Sequence, residues 1–305
     1  MIIRQRANWL RMLFIWEGSV LKKITVQLSI IAVFSLVILY FDGIIYYHKV
    51  HLNPTIFTLI GLALAIFMGF CNTASYDRYW EGRKLWGTLL IECRSLTRQA
   101  STLVNAPDES KIAFTKMLAA FCWSLNYQLR NKSGTEHLSR LLSAEQVNYL
   151  KDKKHPPVII LDFIGQWISE QNKQKHIDTI MLAAMDSHLS QLSQVIGGCE
   201  RISNTPLPFA YSVLLHRTVY FYCFWLPFGL VDSLGWMMPV IVLLISYTFI
   251  ALDAIIYEIG EPFGEEENDL PLNTICRNIE YSIFEQAQIP QELQESKPAS
   301  AYVID

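Results

Sequence analysis

Four acidic side chains crowd together near the end of the chain, in the segment EPFGEEENDLPL at residues 261–272. They are Glu265, Glu266, Glu267 and Asp269. Carboxylate oxygens are the hard ligands that calcium prefers, so the segment could hold Ca²⁺ or another cation. Asn268 interrupts the acids, and a run of this kind also suits a solvated turn that holds no metal. The sequence leaves both interpretations open.

Apolar residues recur at a helical spacing between Leu59 and Tyr76, a stretch without any charge. On a helix, Leu62, Ile66 and Phe70 form one bulky stripe. This stripe predicts either a face toward lipid or a partner helix, or a hydrophobic constriction that gates ions by dewetting. A constriction requires symmetric copies of the chain around an axis, because one stripe cannot enclose a pore.

A second stripe of small residues lies beside the bulky one on the same helix. It consists of Gly61, Ala65 and Gly69, at positions i, i+4 and i+8. Small residues at this spacing let another helix approach closely. The sequence therefore predicts that this stripe packs against a neighbouring helix.

One basic side chain falls inside an otherwise apolar segment. Arg217 lies in the stretch 208–231, where a charge is costly unless it is paired or reaches the membrane surface. If this stretch and the next one cross a membrane in opposite directions, Arg217 comes near the level of Asp253 or Glu258. The sequence predicts a structural ion pair between Arg217 and one of these two carboxylates.

Other chemistry finds little support. The motifs HExxH, GxSxG and GxGxxG and the P-loop are absent, which argues against an enzyme. A net charge of −3 gives no basic footprint for nucleic acid. The six cysteines are scattered without a C-x-x-C pair, so we expect free, buried thiols rather than disulfides or a zinc site. No cofactor is required, and calcium is the one candidate ligand.

Four apolar segments position these residues and are candidates for membrane spans. They cover residues 25–41, 55–76, 208–231 and 233–252. A span needs about 20 apolar residues, which the second and fourth segments provide without interruption. Lys and Arg residues concentrate before the first segment and after the second, whereas the loops between paired segments carry almost none. The positive-inside rule then places both termini in the cytoplasm, with the spans in the cell's inner (plasma) membrane.

The predicted fold class is all-α. The expected parts are a cytosolic region at 1–24, two spans within 25–76, a cytosolic helical region at 77–207, two spans within 208–257, and a cytosolic segment at 258–305 with a mobile tail after Pro290. Residues 112–125 are apolar but short, which predicts a buried helix rather than a span. Ser143 and Gln146 predict a capping box, and residues 176–202 predict another helix.

Four segments, in order, resemble the bestrophin family and above all its bacterial members. They are WEGSVLKK at 16–23, GFCNTASYDRYWEGRKLWG at 69–87, NTPLPFAYSVLLHR at 204–217 and EPFGEEENDLPL at 261–272. Together they extend over nearly the whole chain, from Trp16 to about Asn278.

The resemblance implies a homopentameric channel in the lipid bilayer that passes small monovalent ions through one axial pore. It implies that Leu62, Ile66 and Phe70 line a narrow neck and that Ile180 lines a lower, cytosolic constriction. Animal members are associated with chloride, and cations such as sodium are the alternative for bacterial members. The acidic segment resembles the calcium clasp of animal members but departs from it at Asn268 and Glu261.

Two other functions compete with a channel. A secondary transporter or carrier of small anions is expected to show broken helices or repeated halves, and the sequence shows neither. A structural membrane scaffold would pass no ions at all. A channel is therefore the function that the sequence favours.

Overall fold

The computed structural model of the chain describes residues 8–12, 14–16, 18–45, 48–49 and 52–290. The predicted mobile tail and the first seven residues lie outside this part. The helices are α1 Trp9–Met12, α2 Leu21–Tyr40, α3 Pro54–Leu103, α4 Asp108–Leu129, α5 Thr135–Leu138, α6 Ala144–Leu150, α7 Pro156–Lys173, α8 Thr179–Asn204, α9 Phe209–Leu234, α10 Met238–Gly260 and α11 Leu272–Gln286. Strands β1 Ile44–Ile45 and β2 His48–Lys49 form a two-residue antiparallel pair between α2 and α3.

The chain divides into two compact units, and α3 contributes to both. We call the described residues within 4–79 and 206–261 the span unit, and those within 80–205 and 262–290 the bundle unit. Three helical stretches of the described chain are apolar and long enough to cross a membrane: Leu21–Tyr40, Pro54–Leu103 and Phe209–Gly260. The last stretch contains α9 and α10, so four separate spans stay a prediction.

The core of the span unit is apolar and formed by α2, α9, α10 and the first part of α3. Helix α2 buries Ile24, Ile31, Ser35 and Ile38, a single face at a helical spacing, and packs mainly on α10.

The close approach of α3 to α9 requires Gly229, because a Cβ there would lie 2.3 Å from the ring of Phe57. Gly235 ends α9 at a φ of +51°, a conformation that favours glycine, and a 3₁₀ turn leads into α10.

The bundle unit is organised around α4, which is buried on nearly every side by α7, α8 and α11. This confirms the buried helix predicted for residues 112–125. The predicted capping box is also confirmed, since Ser143 and Gln146 exchange hydrogen bonds at the start of α6. The predicted helix at 176–202 is observed as α8, and Asp178 caps it through a hydrogen bond from the Met181 amide at 2.7 Å.

A polar network ties α11 to α4 and to the chain after α5. The carboxylate of Glu280, a residue that is 9% exposed, accepts hydrogen bonds from the Trp123 indole and from Arg140, each at 2.7 Å. One turn away, Asn126 donates to the side-chain oxygen of Asn273 at 2.6 Å. A buried carboxylate requires such partners, so these bonds fix the position of α11 against α4.

The cysteines pack as small apolar residues, as predicted. All six are free, five are buried, and Cys71 is half-buried. The Sγ atoms of Cys93 and Cys122 lie 3.5 Å apart, and burial raises the pKa of the Cys122 and Cys276 thiols well above the ordinary value. Thiols that stay protonated are poor nucleophiles, so Cys122 and Cys276 serve packing.

Candidate pore-lining site

The bulky stripe of α3 is exposed, although it is as apolar as the core. Leu62 is 60% exposed, Ile66 55% and Phe70 71%, and all three belong to the span unit. The opposite face of the same helix is buried and carries Phe57, Leu64 and Met68. Within one protomer, therefore, one apolar face of α3 packs against the core of the span unit, and the opposite apolar face stays exposed.

Within one protomer, the stripe of small residues contributes only Gly61 to helix packing, and a packing role for the rest of the stripe stays a prediction. Gly61 does lie against α9, since a Cβ there would come 2.8 Å from the Tyr222 hydroxyl. Ala65 and Gly69 are exposed, and no atom lies within 4 Å of a Cβ built at Gly69. Within the protomer, the buried face of this helix passes through Leu64 and Met68.

Beyond Phe70 the same exposed face becomes polar. Thr73 is exposed and donates its hydroxyl to the Gly69 carbonyl at 3.0 Å, and Asp77 is exposed one turn further on. Its neighbour Arg78 points the other way, into the span unit, where Nε donates to the Gly260 carbonyl at 2.9 Å. A charge directly after an apolar run is typical of the end of a span, so residue type and spacing alone do not mark Asp77 as a site residue.

Ile180 is the other exposed apolar residue with a predicted role. It lies in the first turn of α8 in the bundle unit and is 80% exposed. The buried side of this segment carries Ile177 and Met185, which are 8% and 0% exposed. The cap at Asp178 fixes the start of the helix, so Ile180 is held on a rigid element and projects away from the core of its own unit.

The acidic segment folds as a series of turns in the bundle unit, and its acidic side chains have different contacts. Asp269 is 2% exposed and accepts a hydrogen bond from the Glu266 amide at 2.8 Å. Glu265 forms an ion pair with Lys132 and lies 3.8 Å from the Arg130 guanidinium. Arg130 also donates to the carbonyls of the segment at Phe263 and Leu270.

These contacts give the acidic segment a structural role. Glu265 is already neutralised by basic side chains, and the Asp269 carboxylate closes a turn. Within the described residues, no group of three His, Cys, Asp or Glu side chains has the spacing to hold a metal ion. The interpretation as a calcium site stays a prediction without added support from the side-chain geometry.

The predicted partner of Arg217 is corrected by the structure. Asp253 pairs instead with His216, whose Nδ1 lies 3.0 Å from the carboxylate, and Glu258 pairs with Lys23 at 3.3 Å. Neither carboxylate forms an ion pair with Arg217, which is exposed on α9. The direction of each side chain around its helix, and not its position along the helix, decides which partner it contacts.

Comparison of the sequence with known proteins identifies the family of this chain. A family model described as "Bacterial/Fungal Bestrophin protein" matches residues 1–285 of the chain. The chain belongs to the bestrophin family. A voltage-dependent anion channel-forming protein of Ralstonia nicotianae is 43% identical over 314 residues, covering all of both chains. A protein of Escherichia coli K12 with the same description is 40% identical and covers 96% of this chain and 97% of its own.

Solved structures show the same fold in this bestrophin's relatives. The crystal structure of a variant of a bacterial bestrophin homolog from Klebsiella pneumoniae is 40% identical, with a TM-score of 0.83 over 86% of this chain and 98% of the other. Another structure of the Klebsiella homolog has a TM-score of 0.82 at 38% identity and covers 88% and 100% of the two chains. The family and the helical membrane-protein fold predicted from the sequence are thereby confirmed.

Proposed function

We propose that this bestrophin is a passive channel for small monovalent ions, formed by five copies of the chain around one axis. The observation that carries the proposal is the exposed apolar stripe of Leu62, Ile66 and Phe70 on a helix whose opposite face is already buried. On a membrane-spanning helix, an apolar face that is exposed in one protomer contacts lipid, a partner subunit or a pore, and the family resemblance at these three positions favours the pore. Relatives named as anion channel-forming proteins support an ion channel.

In this arrangement the stripe forms the neck of the pore. Three rings, each of five carbon-only side chains, offer no ligand to an ion, so the neck acts as a wetting barrier and closes when it dries. Ile180 forms a second, separate constriction. The spans lie in the inner membrane with both termini on the cytoplasmic side, as the distribution of Lys and Arg predicts.

The experiment is a comparison of Ile66→Ala with Met68→Ala in planar bilayers. Both residues lie on α3, two positions apart, but Ile66 is 55% exposed and Met68 is fully buried. Ile66→Ala should raise single-channel conductance, because a smaller side chain widens and wets the neck. Met68→Ala should lower thermal stability and leave conductance per channel unchanged.

Two results would refute this function. If Ile66→Ala has the conductance and selectivity of the parent, the stripe does not line the pore. If ion flux through the parent protein saturates with concentration at a low turnover, the protein is a carrier. Native mass spectrometry of the purified protein tests the pentamer independently, and a monomer would exclude an axial pore.

A further inference from the structure

The exposed face of α3 continues without a break from the apolar stripe to a carboxylate. At 100° per residue, Leu62, Ile66, Phe70, Thr73 and Asp77 lie within about 80° of one another around the helix. All five are exposed in the span unit, whereas Leu64, Met68 and Ser75 on the other side are buried. If the stripe faces a pore, Asp77 faces the same pore.

Asp77 is also the first charge on this face. No charged residue occurs on α3 before it, and it lies seven residues from Phe70, about 10 Å along the helix axis. The adjacent Arg78 does not cancel its charge at the pore, because the guanidinium is turned into the span unit toward the Gly260 carbonyl. The sequence Asp-Arg therefore presents only its carboxylate on the exposed face.

We propose that Asp77 is a selectivity-determining residue: five copies form a ring of carboxylates at one mouth of the apolar neck and raise the permeability of cations relative to anions. This inference rests on the proposed pentameric channel. A ring of like charges at a narrow mouth concentrates counter-ions by about tenfold or more. The neck supplies no polar ligand of its own, so the ions that enter it are those enriched at its mouth.

The next charge on this face has the opposite sign but lies further away. Lys84 is exposed and follows Asp77 by two turns, about 21 Å from Phe70 along the helix. With a Debye length of about 8 Å at physiological ionic strength, the additional distance weakens the effect of Lys84 at the neck about fourfold more than that of Asp77. Asp77 should therefore dominate at the neck, and Lys84 should have a smaller, opposite effect.

The test measures the reversal potential of purified channels in planar bilayers under a NaCl gradient. Asp77→Asn should lower the Na⁺ to Cl⁻ permeability ratio by about tenfold, and Asp77→Glu should retain the ratio of the parent. Asp162→Asn is the control, because Asp162 is an exposed carboxylate on α7, a helix that contains none of the stripe residues. It should leave the ratio unchanged.

Salt provides a second measurement that needs no variant. If Asp77 acts through its charge, the cation preference of the parent channel should decline as ionic strength rises toward about 1 M, where the Debye length is about 3 Å. Even if Asp77→Asn does not assemble, a permeability ratio that is independent of salt would overturn the inference.

The inference is overturned if Asp77→Asn carries current with an unchanged permeability ratio, if Lys84→Gln shifts the ratio more than Asp77→Asn does, or if the parent's ratio is independent of salt. These results differ from those expected if the proposed function itself is wrong. If the protein is not such a channel, the pentameric parent protein would pass no ions, or Ile66→Ala would behave as the parent.

Discussion

Truncation of Ile180 separates a role in the pore from a role in the fold, because a matched isoleucine lies in the same unit. Ile180 is 80% exposed on α8, whereas Ile164 on α7 is fully buried. The change to Ala removes the same three carbons at both positions. Any difference between the two variants therefore reports the surroundings of the side chain and not its chemistry.

The expected stability loss follows from the exposed fraction. Three carbons at about 0.8 kcal/mol each, one-fifth buried, give about 0.5 kcal/mol for Ile180→Ala. Ile164→Ala loses the full transfer term and leaves a cavity, which costs about 2–5 kcal/mol. For a unit of this size these values correspond to shifts in melting temperature of about 1–2 °C and about 4–20 °C.

The assays are thermal unfolding of the purified protein and single-channel recording of the same preparations. We expect Ile180→Ala to change conductance or relax ion selectivity with a nearly unchanged melting temperature. Ile164→Ala should melt earlier, while the channels that do assemble conduct as the parent does. The reasoning is refuted if Ile180→Ala lowers the melting temperature as much as Ile164→Ala, since its side chain would then be packed in the assembly. Parent-like conductance and selectivity in Ile180→Ala would refute the constriction.

Three further predictions concern the bundle unit. Glu280→Gln should lower the free energy of unfolding by about 1–3 kcal/mol in denaturant titrations, because it weakens the charge-assisted bond to Arg140; an unchanged midpoint would contradict this. Burial lowers the pKa of His137 below its ordinary 6.5, so the folded state favours the neutral ring; stability from this effect is present above pH 6.5 and is lost as pH falls below it. The melting temperature of His137→Gln should accordingly fall less between pH 7 and pH 5 than that of the parent. Burial raises the pKa of Cys199 to about 12, so mass spectrometry after iodoacetamide treatment at pH 8 should find it unmodified in folded protein and alkylated in denaturant.

Local patterns in the sequence were sufficient to predict elements whose signal lies in neighbouring residues. The capping box at Ser143 and Gln146 and the buried helix at 112–125 depend on spacing and on segment length, and the structure confirms both. The family was predictable because four separate segments occur in the right order. The neck residues and Ile180 stay predictions, since their exposure in one protomer is compatible with a pore but does not measure one.

Features that depend on the direction of a side chain in three dimensions were not predictable in the same way. Arg217 was assigned a partner from its level along the chain, but Asp253 faces His216 and Glu258 faces Lys23. The stripe that begins at Gly61 predicted a packing face, but within one protomer the buried face of this helix passes through Leu64 and Met68. Periodicity shows which residues share a face, but the neighbouring elements decide which face is covered.

The bundle unit is built from two pieces of chain that are separated by α9 and α10. Its buried network joins Trp123 in the first piece to Glu280 in the second. During translation, therefore, the indole is synthesised well before the carboxylate that accepts its hydrogen bond. At about 5–20 residues per second, a ribosome needs on the order of 4–15 s to extend the chain from Thr205 to Glu280. During that interval the ribosome completes α9 and α10, two apolar helices, while α4 lacks its final partner. The bundle unit is therefore completed only after these two apolar helices have been synthesised.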